Sequence, residues 1–580
     1  MRRMIRAAAG LVTAALLLTA CAGLPTSGPV NPGLAADEVP EDDFLYYPEG
    51  PAPEATPEQI VQGFVEAATS PAGDWATARE FLTADFADDW SPGTAVVIDV
   101  PSARVYDADR LESENVVSLR TQAVATVDAR GSYVTSLTPT QVQEYRLEQR
   151  SDGEWRIAEA PEGIVLDRDY FPNVYSDYAL YYYDATGRYL VPDVRWYPEA
   201  SMRPSKLASE LLFGPGARLQ GAARTAFPEG TSLAEGGALI DDDGMADVAL
   251  EGPRLGDVDA ERISHMRTQL TATLAGLGAQ TVRIRVGTAE LSAEEFDPQP
   301  TRPDARALVL GGEELDGAFG FLEGGEIERI DGLSDAVEGF VGAFDGSPAP
   351  RSIAVSVDRS WALVHGADGI VRSVIADGSV HVLDERQGVI EPALDPDGYA
   401  WAVPASAPDE LRVYASDGTV VLEADFPRTE TVTSATVQSI AVSRDGTRMA
   451  MLVTAAGGTP LALIAPIVRD GEGVPTALGD ASLLTVLDGP GIDVEWLDDT
   501  SVGIVAQDGA EREIIDQRIG GPGTRMSGPA TSAGISTGTS GSPIRLLDAN
   551  GVLYTRRVSA WVEAQPGIAV LATDVGAPTD

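Results

Sequence analysis

Apolar positions along this chain keep four different rhythms, and each predicts a different kind of structure. The first is an unbroken run, Leu11-Val12-Thr13-Ala14-Ala15-Leu16-Leu17-Leu18, behind Arg2, Arg3 and Arg6. It is shorter than the roughly 18 to 20 residues needed to cross a bilayer. A basic start, an apolar stretch and then Leu18-Thr19-Ala20-Cys21 predict an export signal over residues 1–20. From 21 to 53 periodicity disappears into Pro, Gly, Ala and acidic residues, which predicts a flexible linker.

The second rhythm is helical, followed by alternation, over residues 54–170. Thr56-Pro57-Glu58-Gln59 offers a capping hydroxyl, proline at the first helical position and Gln59 to close a capping box. Ile60, Val61, Phe64, Val65 and Ala68 then form the inward stripe. A second helix is predicted over 74–82. Strands are predicted at 94–100, 122–128, 141–148 and 154–158, as an antiparallel sheet. Helices first and then this sheet resemble the cone-shaped α+β folds of the NTF2-like superfamily, which often enclose a pocket. Trp75, Phe81, Trp90, Tyr145 and Trp155 are read as core.

Residues 171–300 mix both periods. Tyr178-Ala179-Leu180-Tyr181-Tyr182-Tyr183 reads as a strand, and 205–213 as a helix stopped by Gly214-Pro215-Gly216. A hairpin is predicted over Asp243-Gly244, then a long helix from about Asp259 to Leu277, then the alternating strand Val282-Arg283-Ile284-Arg285-Val286. That order, with Leu212-Phe213-Gly214-Pro215 and Phe227-Pro228-Glu229-Gly230-Thr231, resembles the GerMN domain. The resemblance implies a binding or assembly module and carries no catalytic residues.

The fourth rhythm fills 301–580. Ile353-Ala354-Val355-Ser356-Val357-Asp358 is echoed by Ala393-Leu394-Asp395-Pro396-Asp397-Gly398, by Ile440-Ala441-Val442-Ser443-Arg444-Asp445-Gly446, and in degenerate form between Ile492 and Val505. Each phrase reads strand, Asp-Gly-type turn, strand. Asp358 to Asp397 is 39 residues, Asp397 to Asp445 is 48 and Asp445 to Asp499 is 54. Four short strands every 40 to 50 residues or so are the signature of propeller blades. The predicted fold class is therefore two N-terminal α+β domains followed by an all-β propeller of about six or seven blades.

Composition narrows the function classes. The 580 residues carry a net charge of -48, from 89 acidic against 41 basic side chains. Such a field repels nucleic acid and anionic headgroups, so no nucleic-acid partner is expected. Lys206 is the only lysine, which we read as coding bias. Cys21 is the only cysteine, so no disulfide can form within the chain. Only His265, His365 and His381 exist, with no pair at ligand spacing, and no metal or cofactor is expected. Gly534-Ile535-Ser536-Thr537-Gly538 matches the G-x-S-x-G nucleophile elbow, but no histidine follows it. Its Gly-, Ser- and Thr-rich flanks from Gly520 to Ser542 predict a flexible loop. Asp395-Pro396-Asp397-Gly398 begins like a calcium loop, but Ser406 stands where a bidentate Glu is required, so it reads as a blade turn. Asp241-Asp242-Asp243-Gly244 reads as a solvated hairpin tip. No catalytic residues are assigned, ligand-binding residues remain unknown, and carboxylate pairs cannot be selected from sequence.

Leu18-Thr19-Ala20-Cys21 resembles a bacterial lipobox, in which the cysteine is acylated with palmitate-type chains and becomes the mature N-terminus. An ordinary cleaved signal with an incidental cysteine is the alternative. Lipobox, NTF2-like segment, GerMN-like segment and propeller, in that order, resemble the LpqB family of actinobacterial lipoproteins. The resemblance implies a non-enzymatic regulatory lipoprotein, anchored to the extracytoplasmic face of the cell membrane through lipid on Cys21. It also implies a partner, the extracellular domain of a two-component sensor histidine kinase, and a role in cell-envelope homeostasis. The alternative is a surface lipoprotein that binds or hydrolyses cell-wall glycan, which would need two carboxylates across a groove.

Overall fold

The computed structural model describes residues 48–576, apart from 138–139, 199–201, 293–303, 313–314, 324–325, 331, 343–348, 430–431, 433, 539–542 and 559. The export signal, Cys21 and the linker to residue 47 lie outside the described residues. Residues from Pro48 onward form one compact unit.

The unit opens with the helix Pro57–Ala67, and its capping box is formed at both ends: Thr56 accepts from the Gln59 amide while the Gln59 side chain accepts from the Thr56 amide. The next helix spans Ala72–Arg79, but Gly73, Asp74 and Trp75 are left-handed, with φ near 60° in each. That irregular start lets the Trp75 indole donate to the Ala68 carbonyl at 3.0 Å and seat the ring in the core. A short helix, Ala84–Asp89, follows. The long strand Val116–Asp128 organises the sheet, pairing with Ala95–Asp99 on one side and Thr140–Gln149 on the other, with Trp155–Glu159 beyond. The expectation of an antiparallel sheet holds except at one edge, where Ile164–Asp167 runs parallel to Ala95–Asp99. Trp75, Phe81, Trp90 and Tyr145 are buried, as read, and Trp155 is half-buried.

Next come the strands Tyr175–Asp184 and Leu190–Pro198, paired along their whole length. The helices Pro204–Leu212 and Ala260–Leu274 pack on a second sheet. In that sheet Met245–Glu251 pairs antiparallel with Ser232–Ile240 and parallel with Thr281–Val286. The Asp243-Gly244 turn joins the hairpin as expected, with Gly244 at φ 78°.

The remainder is all β. Six sheets follow one another among the described residues. Five are built from consecutive strands. The sixth joins Asp304–Gly311, Phe319–Glu323 and Glu326–Arg329 to the last strand, Ile568–Gly576, which pairs antiparallel with Asp304–Gly311. The first and last strands of the propeller thus close the ring in one blade, which leaves only short, protected edges around the axis. The predicted α+β-then-propeller class is the fold observed, and the blade estimate resolves to six among the described residues. One reading is corrected: the expected flexible loop at 520–542 contains the strands Gly523–Gly528 and Ser532–Ser536, the outer strand of one blade and the inner strand of the next. Glycine and serine are tolerated there because the side chains needed are small. A Cβ on Gly528 would lie 2.7 Å from Ile514.

Candidate functional site

The innermost strands are Pro350–Val355, Ala393–Leu394, Ala435–Val442, Gly491–Trp496, Ser532–Ser536 and Ile568–Gly576. They surround a cavity of about 80 Å³ on the propeller axis, lined by side chains from all six blades. Five of these strands carry a bulge, just before Ser352, Ser439, Asp493, Gly534 and Val570. The bulge re-aims the following side chain. Superposing the repeated phrases places Ser352, Glu391, Ser439, Asp493 and Gly534 at one register, and Ala354, Ala393, Ala441, Glu495 and Ser536 two residues on. Two blades therefore insert carboxyl groups where others carry serine or alanine.

Those carboxyls are deeply enclosed. Asp493 accepts from the Ser439 hydroxyl at 3.1 Å and from the Ile535 and Val494 amides, each at 2.9 Å. Burial, only partly offset by these three donors, raises its pKa. Burial also raises Glu391, and the nearby Asp493 and Glu495 add to it. Glu495 is pushed up to about 8 by burial and Asp493, against the Trp496 amide and Arg444. On the adjoining inner strand Asp574 is pushed up to about 7 by burial, and its Oδ1 has no hydrogen-bond partner. Glu391, Asp493 and Glu495 thus form a cluster of acids raised above their ordinary values, with space for a handful of ordered waters.

At one end of this ring the blade turns hold carboxylates of the opposite character. Asp445 accepts from the hydroxyls of Ser443 and Thr447, and pairs with Arg448 at 2.7 Å. Burial alone would raise Asp445, but Arg448 and the two hydroxyls hold it below its ordinary value. Arg448 also lies over the Trp496 ring, 4.8 Å from its centroid. Asp395 accepts from the Trp401 indole at 2.8 Å and pairs with Arg469 at 2.6 Å. Asp397 shares Arg469 and also pairs with Arg188; burial and the nearby Asp395 outweigh those cations and raise it.

Arg188 belongs to the second α+β region, so this turn face is also a junction. Arg448 donates to the Pro192 carbonyl, the Trp196 indole donates to the Gly520 carbonyl at 2.7 Å, and Arg518 pairs with Asp177 at 2.7 Å. The strand Leu190–Pro198 is buried at every position. Its other contacts reach the first region: the Trp196 amide donates to Gly131, Tyr197 to the Arg130 carbonyl and Arg195 to Ser132. The first region also touches a blade directly, with Thr135 donating to the Leu484 carbonyl at 2.7 Å. One strand thus ties three regions together.

The sequence-based candidates fare differently. Cys21 lies outside the described residues. The G-x-S-x-G serine is no elbow: Ser536 ends an inner strand, and its hydroxyl donates to the Ala572 carbonyl and meets Thr573, each at 2.8 Å. Asp395-Pro396-Asp397-Gly398 is a blade turn, as read. His265 sits against the Tyr183 ring, while His365 and His381 lie on separate strands. Among the described residues no group of three His, Cys, Asp or Glu is placed to hold a metal ion, and no helix is long and apolar enough to cross a membrane. The channel carboxyls were missed, although the phrase register carried a signal for them.

Comparison with known proteins agrees with this layout. Residues 50–172 match a family described as Lipoprotein LpqB, N-terminal domain; 179–292 match one described as Sporulation and spore germination; and 329–571 match the Lipoprotein LpqB beta-propeller domain. Lipoprotein LpqB of Streptomyces coelicolor is 28% identical over 92% of this chain and 91% of its own, and that of Rhodococcus opacus 25% over 92% of each. Among solved structures, TolB from Acinetobacter baumannii aligns with 56% of this chain and 87% of its own, at 12% identity and a TM-score of 0.33. With the two LpqB families together matching more than half of its residues, and relatives of that name aligned over nearly their whole length, the chain belongs to the LpqB lipoprotein family.

Proposed function

We propose that this chain is a non-catalytic binding and regulatory module, tethered through lipid on Cys21 to the extracytoplasmic face of the membrane, with the sensor domain of a two-component histidine kinase as its partner. The observation that carries the non-catalytic part is the use to which the polar groups are put. The enclosed carboxylates at the junction are consumed by arginines, and the channel carboxyls surround about 80 Å³, too little for a sugar ring between them. A rigid junction of three regions suits a protein that presents a fixed surface to a partner. The kinase and the envelope role rest on family membership.

Two measurements test it. The Cys21→Ser variant should leave the membrane fraction, because two acyl chains give stable anchoring where one is marginal; its continued retention there ends the anchor assignment. A soluble form covering 48–580 should bind the purified sensor domain, with the tether serving only to raise local concentration. No binding at high micromolar concentration, together with unchanged kinase phosphorylation on deletion in cells, rejects the partner. The glycan-hydrolysing alternative draws on the raised carboxyl groups. It predicts release of wall fragments by the same soluble form, and the narrow channel argues against it.

A further inference from the structure

A second cavity lies away from the channel, where all three regions meet. Its volume is about 510 Å³, within the range of roughly 300 to 1,000 Å³ typical of small-molecule sites, which occur preferentially at domain junctions. Thr126, Thr135 and Gln141 line it from the first region, Asp193 and Arg218 from the second, and Ser482 from a blade. In a chain of net charge -48 the charge balance here is unusual. Among the described residues, Asp193 and Arg218 are the charged groups that line it. The Asp193 carboxylate is already engaged by Arg195 at 2.6 Å and by the Gly216 amide at 2.8 Å. Arg218 donates only to the Tyr133 carbonyl; its Nε is enclosed without a partner, and among the described residues no carboxylate pairs with it. Asp193 and Asp128 act on it electrostatically, yet neither forms an ion pair with its guanidinium.

Leaving a cation enclosed and unpaired is costly, and an incoming anion relieves that cost. Burial accordingly pulls the Arg218 guanidinium below its ordinary value. The planar fork of arginine matches phosphate and carboxylate. Around it the lining offers hydroxyl and amide groups, with Leu137 and Leu483 as apolar patches. That mixture suits a molecule with many hydroxyls and a C–H face. We propose that the junction cavity binds a small polyhydroxylated anion, a sugar phosphate or sugar acid, with Arg218 as its anion contact. Since the ligand would touch all three regions, its binding would stabilise their arrangement.

The test is calorimetric titration of the full chain in non-ionic detergent with glucose 1-phosphate, glucuronate and, as the neutral control, glucose. At least one anion should bind, and at least about tenfold more tightly than glucose; which of the two binds better separates phosphate from carboxylate recognition. Arg218→Gln should weaken the anion by about tenfold or more while leaving any glucose binding unchanged. Ser482→Phe fills the cavity from the blade side without touching the Arg218 bond to Tyr133. It should abolish binding while keeping the thermal midpoint, so the result stands even where Arg218→Gln fails to fold. Failure of both anions to bind, equal affinity for glucose and glucose 1-phosphate, or undiminished binding in folded Ser482→Phe overturns the proposal.

Discussion

The channel and the turn face of the propeller are built from the same residue types, are enclosed to a similar degree, and have opposite electrostatics. Asp445 stays ionised because a guanidinium 2.7 Å away and two hydroxyls outweigh its burial. For Glu495, burial and the nearby Asp493 outweigh the Trp496 amide, Arg444 and the Thr573 hydroxyl, and it rises to about 8. Desolvation acts on both, and what decides the outcome is whether a counter-charge is supplied with good geometry. The difference assigns roles: the turn face is an ion-paired seam to the second α+β region, while the channel holds acids that keep their protons to higher pH.

Both clusters depend on ring closure, so the largest effect should come from removing it. Deleting 568–580 takes away the strand that pairs with Asp304–Gly311 and supplies Ala572 and Thr573 to Ser536. The expected outcome is loss of a cooperative unfolding transition and aggregation through the exposed edge. Calorimetry and light scattering check this, and a monodisperse, cooperatively folding fragment would refute a closed ring.

Next in size is Arg448→Met, which strikes the turn face alone. It strands Asp445 in its enclosed position and removes the bonds to the Asp499 and Pro192 carbonyls. A loss of about 3 to 5 kcal/mol is expected in urea unfolding. Replacing Asp445 and Arg448 together by apolar residues should recover much of it. If the single variant is near neutral, the seam carries little stability and the contrast with the channel collapses.

How much of this was legible in the sequence follows from the range over which each signal acts. The capping box at Thr56 and the Asp243-Gly244 hairpin are local, and both formed as read. The blade phrases repeated closely enough to give the propeller. Leu190–Pro198 escaped notice because Asp193 and Arg195 break its apolar pattern, and nothing local reveals that they satisfy each other. Closure of Ile568–Gly576 on Asp304–Gly311 joins opposite ends of the propeller, beyond any periodicity. The channel acids were concealed because each looks like ordinary surface charge until the phrases are set in register. Only then do Glu391 and Asp493 align with Ser352 and Ser439.

The channel should show itself through pH. Glu495 is raised from 4.5 to about 8, so between those values the folded state holds protons that the unfolded state has released. Stability must then fall as pH rises through that window. Asp445, held low, acts in the opposite sense: its contribution is lost only as pH drops below the ordinary aspartate range. Maximum stability is expected at mildly acidic pH. Glu495→Gln, a neutral shape-mimic, should flatten the decline on the alkaline side and leave the acid side unchanged, as measured by thermal midpoint against pH. An unaltered profile would mean that Glu495 is ionised in the folded protein.

The smallest expected effect separates hydrogen bonding from burial inside the channel. Ser439 donates to Asp493 Oδ1 at 3.1 Å, one of three donors that keep Asp493 from rising as far as burial would take it. Ser439→Ala removes that donor, leaving the Ile535 and Val494 amides in place. A hydrogen bond to a charged acceptor contributes about 1.5 to 3 kcal/mol, and one to a neutral acceptor about 1 kcal/mol. The variant should therefore cost more at alkaline pH, where Asp493 is ionised, than at acid pH, where it is protonated. Urea unfolding on either side of neutrality measures the difference. A cost independent of pH would place Asp493 in one protonation state throughout, and the hydroxyl at the bulge of that inner strand would then be packing rather than tuning.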